Sequence, residues 1–260
     1  YGGPVLGEQN PVYEVTRKFV RSLNFFGNQT VETTWVNDTK TSRHPDTIEF
    51  RFRAVPSGSN HQVLVQKDAD WAIRLEPSGS GTDNYGYVSF AITGSSTTAA
   101  VSSSALPVFD NEFYSVMLTR ISASGENLED DTTTRNINYN LFVKKYDATR
   151  RRIYLQSSAS LNVDGNSGGA ASGMNNRFQR DGAVHIGGKS TEEFGGQLTG
   201  SMMEFRYWNS ALSESRFDNH VRAPKAYDGN HPSASFENLV LRYPMNQTIN
   251  HGTGSVDVID

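Results

Sequence analysis

Cysteine is missing from this chain of 260 residues, and so are several patterns that would point to metal or membrane chemistry. Without cysteine there can be no disulfide bond and no thiolate metal site. The six histidines are dispersed and never form a His-x-His or His-Glu-x-x-His pattern, so we expect no transition-metal catalysis. No apolar run reaches membrane-spanning length, which predicts no membrane insertion.

An excess of basic charge is also missing. The formal net charge is -4, from 24 Lys and Arg against 28 Asp and Glu. The one compact basic run, Arg150–Arg152, lies between two strand-like segments and is typical of a solvated turn. Because proteins that bind nucleic acid need a basic surface for the phosphates, we expect no nucleic-acid partner.

Short segments in which apolar and polar residues alternate fill the chain. In Thr47–Ala54, for example, three apolar residues alternate with Glu49, Arg51 and Arg53. Ten or more such segments, separated by Gly, Ser, Asn and Asp clusters, predict an all-β sandwich or barrel. Hydrophobic residues make up 36% of the chain, which is enough for a folded core. The other predicted strands include His61–Lys67, Trp71–Glu76, Tyr87–Thr93, Glu112–Ile121, Ile137–Tyr146, Arg152–Ser157, Ala183–Gly188, Met203–Trp208 and Leu239–Tyr243.

One short helix is predicted near the C-terminal end. Ser213 is a suitable N-cap, and the following residues carry Phe217 and Val221 toward the interior. Pro224 then blocks continuation of the helix. In the strand before it, alternation predicts Met203 on the same face as Phe205.

The segment Gly195–Phe217, a glycine-led strand ending in Trp-Asn and followed by Ala-Leu-Ser, resembles the closing part of laminin-G-like (concanavalin A-like) jelly rolls. Other pieces are similar in order and spacing, so that the resemblance covers most of Ser22–Tyr243. In one of them Asn111 replaces the usual glycine and Tyr114-Ser115 replaces the usual His pair. The further similar segments are Ser22–Val31, Thr47–Ala54, Gln62–Lys67, Phe109–Arg120 and Ile186–Gly188.

The resemblance implies a two-sheet antiparallel β-sandwich, a jelly roll, with one short helix. We expect an N-terminal arm or linker at 1–16, the jelly roll at 17–245, and a C-terminal tail or linker at 246–260. Members of this family bind glycans, sulfated polysaccharides or proteins by loops at one rim, sometimes through calcium. Many are parts of large bacterial, phage or extracellular proteins, and Arg222–Pro232 looks like a segment of virion structural proteins. The resemblance thus implies an extracellular, cell-surface or virion location within a larger chain or assembly.

Sugar binding requires an exposed aromatic ring with planar polar groups beside it. Trp71 is the first candidate, because it follows two acidic residues in a turn, and Tyr85 and Tyr87 lie across a Gly-rich loop. The alternative is that Trp71 begins a strand and packs inward, as large aromatic side chains often do. Trp35 and Trp208 are expected to be structural.

Calcium is the metal that the sequence could accommodate, since it takes oxygen ligands from loops. Asp68 and Asp70 supply two carboxylates in a turn between strands, and Glu129–Asp131 is a second option. The alternative at both places is an ordinary polar turn.

An enzyme of this fold would present two carboxylates at alternating positions of one strand. The chain instead has adjacent acids in loops, at Glu129–Asp131 and Glu192–Glu193. Gly165–Gly169 fits a nucleophile-elbow pattern, but the residues after it are poor helix formers. The leading prediction is therefore a non-catalytic, lectin-like recognition module that contacts a glycan or a neighbouring subunit. The alternatives are a structural assembly domain of a phage particle and, last, a polysaccharide-cleaving enzyme.

Overall fold

In the part of the chain that the computed structural model describes, two β-sheets face each other, a two-stranded sheet lies near the C-terminal end, and there are two short helices, which confirms the expected all-β sandwich. In chain order the strands are β1 (Leu23–Phe26), β2 (Val31–Trp35), β3 (Thr47–Ala54), β4 (Gln62–Lys67), β5 (Trp71–Pro77), β6 (Gly86–Thr93), β7 (Thr98–Ser102), β8 (Tyr114–Ser122), β9 (Asn136–Asp147), β10 (Arg152–Asp164), β11 (Gly182–Ile186), β12 (Gly196–Gln197), β13 (Thr199–Trp208), β14 (Leu239–Tyr243), β15 (Thr248–His251) and β16 (Ser255–Val258). The helices are α1 (Met174–Gln179) and α2 (Glu214–Arg222).

The structure describes residues 23–26, 30–35, 45–56, 60–79, 84–122, 136–164, 173–179, 182–189, 194–230, 238–245, 248–251 and 255–258. The predicted arm at 1–16 lies outside these ranges, as do Glu129–Asp131, Gly165–Gly169, Glu192–Glu193 and the side chain of Trp35. In the predicted tail, β15 and β16 pair with each other.

Sheet A has the strand order β1-β13-β3-β8-β9-β10, and β14 also pairs with β13. Sheet B has the order β2-β11-β4-β5-β6-β7, and β12 also pairs with β4. The strands of both sheets pair in antiparallel fashion, apart from the short parallel contact of β12 with β4. Neither helix in the described ranges is long or apolar enough to cross a bilayer.

The main core lies between the two sheets and is rich in aromatic rings. Phe178 of α1 packs among Trp71, Phe90 and Tyr139, with ring centroids 5.1 to 6.2 Å apart. This helix was not predicted from the sequence, because it is only six residues long and follows a Gly- and Asn-rich segment. Its Phe178 fills the space that would otherwise remain between the sheets.

Helix α2 packs on the outer face of sheet A. Its N-cap and its inward apolar residues are those predicted from the sequence. The Ser213 side chain accepts a hydrogen bond from the Arg216 main chain, which confirms Ser213 as the N-cap. Phe217 and Val221 pack with the buried Trp208 in a second apolar cluster. The expectation that Trp208 is structural is therefore confirmed.

Strand β13 contains a β-bulge that changes which of its side chains face the core. The pairing with β3 shifts between Met203 and Arg206, and Glu204 has a positive φ of 53°. As a consequence Met202, not Met203, joins Phe205 in the main core. The prediction that Met203 shares the face of Phe205 was wrong, because the bulge inserts one residue and interrupts the alternation.

Candidate functional site

Trp71 does not present its ring to solvent. It is fully buried, and its ring stacks on Phe178 with centroids 5.3 Å apart. The expectation that Trp71 is an exposed sugar platform is contradicted by this packing. The alternation in β5 correctly places Trp71 with Ile73 and Leu75, but all three face the core.

Asp68 and Asp70 contact different cationic groups. Asp70 is buried and forms an ion pair of 3.1 Å with Lys67, which is also fully buried. Asp68 is partly exposed, accepts a hydrogen bond from the Ala183 main chain at 3.1 Å, and lies 3.8 Å from Lys189. The Asp70 carboxylate thus balances a buried lysine, and calcium binding at this turn stays a prediction. Within the ranges that the structure covers, no cluster of three or more His, Cys, Asp or Glu could hold a metal.

Tyr87 lies on the outer face of sheet B beside polar groups. In the β5–β6 ladder Tyr87 is opposite Glu76, and Ser89 is opposite Arg74. Directly opposed residues of antiparallel strands point to the same side. Because Val88 packs in the core, Tyr87 and its neighbours project away from the core. Tyr87 is half-buried as a residue.

Arg74, Glu76 and Ser89 are joined by hydrogen bonds into one unit. Arg74 Nε donates to Glu76 Oε1 at 2.9 Å, and Ser89 Oγ donates to the same oxygen at 2.5 Å. Arg74 Nη1 reaches the Phe194 carbonyl at 3.3 Å. Glu76 Oε2 and Arg74 Nη2 form no hydrogen bond with the residues described, and the two side chains are 22% and 20% exposed. One acceptor and one donor of this partly exposed pair therefore have no partner among the residues described.

Tyr85 lies in the loop between β5 and β6, directly before the first residue of β6. Its carbonyl accepts hydrogen bonds from the main chain and the hydroxyl of Ser78, at 3.1 and 3.0 Å. The residue is 48% exposed. Tyr85 and Tyr87 thus lie at one end of the β5–β6 hairpin, two residues apart. We call the group formed by Arg74, Glu76, Tyr87 and Ser89 the tyrosine surface. Tyr85 is not part of it, because its side chain interacts electrostatically with Tyr114 of sheet A.

The charge state of Glu76 suits a hydrogen-bond acceptor. Partial burial raises the pKa of the Glu76 carboxyl, but the Ser89 hydrogen bond and the Arg74 guanidinium outweigh this effect. The pKa of Glu76 therefore lies below its ordinary value, and the carboxylate is ionised at neutral pH.

Arg74 and Glu76 were not predicted as site residues. The signal was available, because both belong to the segment Trp71–Glu76 and their spacing of two places them on one face of a strand. What the sequence did not show is that this strand pairs with the one carrying Tyr87, in the register that puts Glu76 opposite the ring.

A second cluster of charged residues lies beneath α2. Arg206 binds Glu49 at 2.8 Å and Glu204 at 2.7 Å, and it also donates to the Pro224 carbonyl. His220 Nδ1 lies 2.9 Å from the second Glu49 oxygen. The cavity beside this cluster has room for about one water molecule, which is too little for a sugar. The cluster therefore acts as a connection between α2 and sheet A.

Glu49 and Glu204 are the two carboxylates that this cluster brings together. Burial by itself raises the pKa of Glu49. The charges and hydrogen bonds of Arg206 and His220 lower this pKa by a larger amount, so that it is about 2. A glycosidase needs one carboxylic acid with a raised pKa to protonate the leaving group. The electrostatics of Glu49 are the opposite of that requirement.

Comparison with known proteins relates the chain to a fold and to no family. No protein-family model matches the sequence, and no curated protein matches it. The chain is similar to full-length tailspike protein 2 of Escherichia coli O157:H7 bacteriophage CAB120, with 11% identity and a TM-score of 0.50. That likeness covers 89% of this chain and 30% of the tailspike. At 11% sequence identity, this structural likeness shows that the two proteins share a fold.

Two further solved structures resemble the chain more weakly. One is Ruminococcus gnavus IT-sialidase CBM40, with 11% identity, a TM-score of 0.45, and coverage of 77% of this chain and 96% of the module. The other is the same module bound to alpha2,3 sialyllactose, with 10% identity, a TM-score of 0.42 and the same coverage.

Proposed function

We propose that this chain is a non-catalytic glycan-recognition module of a larger virion or cell-surface protein, and that the tyrosine surface binds the glycan. The observation that carries the proposal is the position of Tyr87 directly opposite Glu76, on the outer face of sheet B. The hydrogen-bonded Arg74–Ser89 pair lies immediately beside them.

The chemistry of the tyrosine surface fits a sugar. The C–H face of a pyranose packs on an aromatic ring, while its hydroxyls need hydrogen-bond partners at the ring edge. Tyr87 supplies the ring, Glu76 Oε2 supplies an acceptor, and Arg74 Nη2 supplies a donor. Because Arg74 and Glu76 already hold each other in place, little side-chain entropy is lost when a ligand binds.

We also propose that the sandwich is a laminin-G-like (concanavalin A-like) jelly roll. In support, the segments that resemble this family fall on strands of the sandwich, such as Thr47–Ala54 on β3 and Gln62–Lys67 on β4. The closing segment that suggested the family forms β13, the turn and α2 in the expected order.

A glycan-array screen tests the proposal, run on the wild-type chain and on Tyr87→Ala, with calcium and again with EDTA. We expect the wild-type chain to bind a defined set of glycans and Tyr87→Ala to lose roughly tenfold or more in affinity. Ile121→Ala is the control, because Ile121 is an exposed apolar residue of sheet A, away from the tyrosine surface.

The outcomes of the screen separate the candidate functions. Binding that EDTA abolishes would assign calcium a role, with Asp68 as the first ligand to test. A wild-type chain that binds no glycan in either buffer would contradict the proposal and favour an assembly domain. That alternative has one observation in its favour: among the described strands, β10 pairs with β9 on one side only.

A further inference from the structure

Arg51 is a partly buried arginine on the outer face of sheet A, two positions after Glu49 on the same side of β3. It forms no ion pair with any residue that the structure describes. Its Nη1 lies 4.0 Å from the sulfur of Met203, and its Cζ lies 5.5 Å from the centre of the Phe113 ring. A thioether sulfur is a weak acceptor. The positive charge of Arg51 is therefore not neutralised by a direct contact with a carboxylate.

Two N–H groups in this part of sheet A are buried and have no hydrogen-bond acceptor. They are the Nε groups of Arg51 and Arg206. Arg206 uses its two terminal nitrogens for Glu49, Glu204 and the Pro224 carbonyl, so that its Nε group is left over. Buried donors in native proteins nearly always have a partner, and each donor without one costs free energy. A single acceptor that reaches both Nε groups would remove this cost twice.

Arg51 and Arg206 line the same small cavity, the one beside the Arg206 cluster. In the β3–β13 ladder Arg206 is opposite Glu49, and Arg51 is opposite Met203, so the two arginines are diagonal neighbours. Phe217 of α2 also lines the cavity. Because the cavity has room for about one water molecule, it accepts a single small ion or a water, and not a sugar or a side chain of another protein.

Positive charge is in excess around this cavity. Three guanidinium groups and two carboxylates lie together there, those of Arg51, Arg206, Arg242, Glu49 and Glu204. The two carboxylates balance two of the guanidinium groups, and one positive charge is left over. Burial lowers the pKa of the Arg51 guanidinium to about 10, and the Arg206 charge adds to this effect, although Glu204 opposes it. A negative charge beside Arg51 would offset the penalty for burying its cation.

We propose that this cavity binds one monatomic anion, chloride, which accepts hydrogen bonds from the Nε groups of both Arg51 and Arg206. Chloride is close to a water molecule in size, and unlike water it carries the negative charge that balances the third guanidinium group. Hydrogen bonds between charged partners are stronger than those between neutral ones. The ion contacts residues of β3 and β13 beneath α2, and it therefore stabilises the attachment of this helix to sheet A. The site is separate from the tyrosine surface, which lies on sheet B.

Thermal unfolding of the full chain at several chloride concentrations tests the proposal. Sodium gluconate replaces sodium chloride at constant ionic strength, because gluconate is too large for the cavity. We expect the wild-type unfolding midpoint to rise by about 2–4 °C between roughly 10 and 200 mM chloride, since an ion that binds the folded chain alone stabilises it. Arg51→Met should lose this dependence on chloride. Arg53→Met is the matched control and should keep it, because Arg53 lies on the same face of β3 but donates to Ser201 Oγ and does not line the cavity.

Diffraction from wild-type crystals grown with sodium bromide gives a second test that needs no variant. Bromide takes the place of chloride and scatters anomalously, so we expect an anomalous peak within hydrogen-bond distance of the Nε atoms of Arg51 and Arg206. No peak at this position would overturn the proposal, as would a wild-type unfolding midpoint that does not respond to chloride. A peak accompanied by the same chloride dependence in the wild type and Arg51→Met would indicate an adventitious ion only, and this result would overturn the proposal too.

Discussion

At the scale of single residues, the electrostatics of buried carboxylates decide what each can do. Asp70 forms an ion pair with Lys67, and Glu49 forms one with Arg206, so both carboxylates are used to balance a cation inside the protein. Glu76 is also ionised, but it keeps one oxygen near solvent. Among these three, Glu76 is therefore the carboxylate suited to accept a hydrogen bond from a ligand.

Glu49 should make stability depend on pH in the acid range. Its pKa is about 2 in the folded chain against 4.5 in the unfolded one. Because the folded-state pKa is lowered, the stabilisation is complete above pH 4.5 and is lost as the pH falls toward 2. The shift corresponds to roughly 3 kcal/mol.

Urea unfolding of the wild-type chain and of Glu49→Gln at several pH values checks this expectation. Glu49→Gln should be less stable at pH 7 by roughly 3 kcal/mol, and its stability should fall less steeply between pH 4.5 and 2. Glu112→Gln is the control, since Glu112 is exposed. Parallel pH curves for the wild type and Glu49→Gln would show that Glu49 is not the group responsible.

At the scale of strands and helices, the alternation of side chains predicted most of the fold. The predicted segment Thr47–Ala54 coincides with β3, and Trp71–Glu76 falls short of β5 by one residue. Alternation shows which residues share a face, but not which face is inside. For that reason Trp71 was offered as a sugar platform although it belongs to the core.

Two features of the fold depend on contacts between distant segments, and the sequence pattern could not show them. The bulge at Glu204 is held by Arg206 and by Arg242 of β14, whose two nitrogens lie 3.0 and 3.1 Å from the carboxylate. The tyrosine surface depends on the register of β5 and β6. The sequence indicated Tyr87, whereas only the sheet shows that Arg74 and Glu76 lie beside it.

The close pairing of β13 with its neighbour β3 at Gly200 offers a test at this scale. A Cβ atom on Gly200 would lie 2.0 Å from the Arg53 carbonyl oxygen and 2.9 Å from the Ala54 Cα. Gly200→Ala must therefore push the two strands apart, and we expect it to lower the unfolding free energy by about 1–3 kcal/mol or more. Gly79→Ala is the matched control, because a Cβ there meets nothing within 4 Å. Equal unfolding midpoints for the two variants would contradict this view of the β3–β13 contact.

At the scale of the whole molecule, the outer faces of the two sheets differ in what lies on them. Helix α2 and the Arg206 cluster cover part of the outer face of sheet A, and the tyrosine surface lies on the outer face of sheet B.

Calorimetric titration of the best glycan from the array is the most direct test of glycan binding at the tyrosine surface. We expect Glu76→Gln to weaken binding roughly tenfold, because a charged hydrogen-bond acceptor is replaced by a neutral amide. Glu112→Gln, a matched change at an exposed carboxylate outside this surface, should bind like the wild type. Identical dissociation constants for the wild type, Glu76→Gln and Tyr87→Ala would contradict the proposed site.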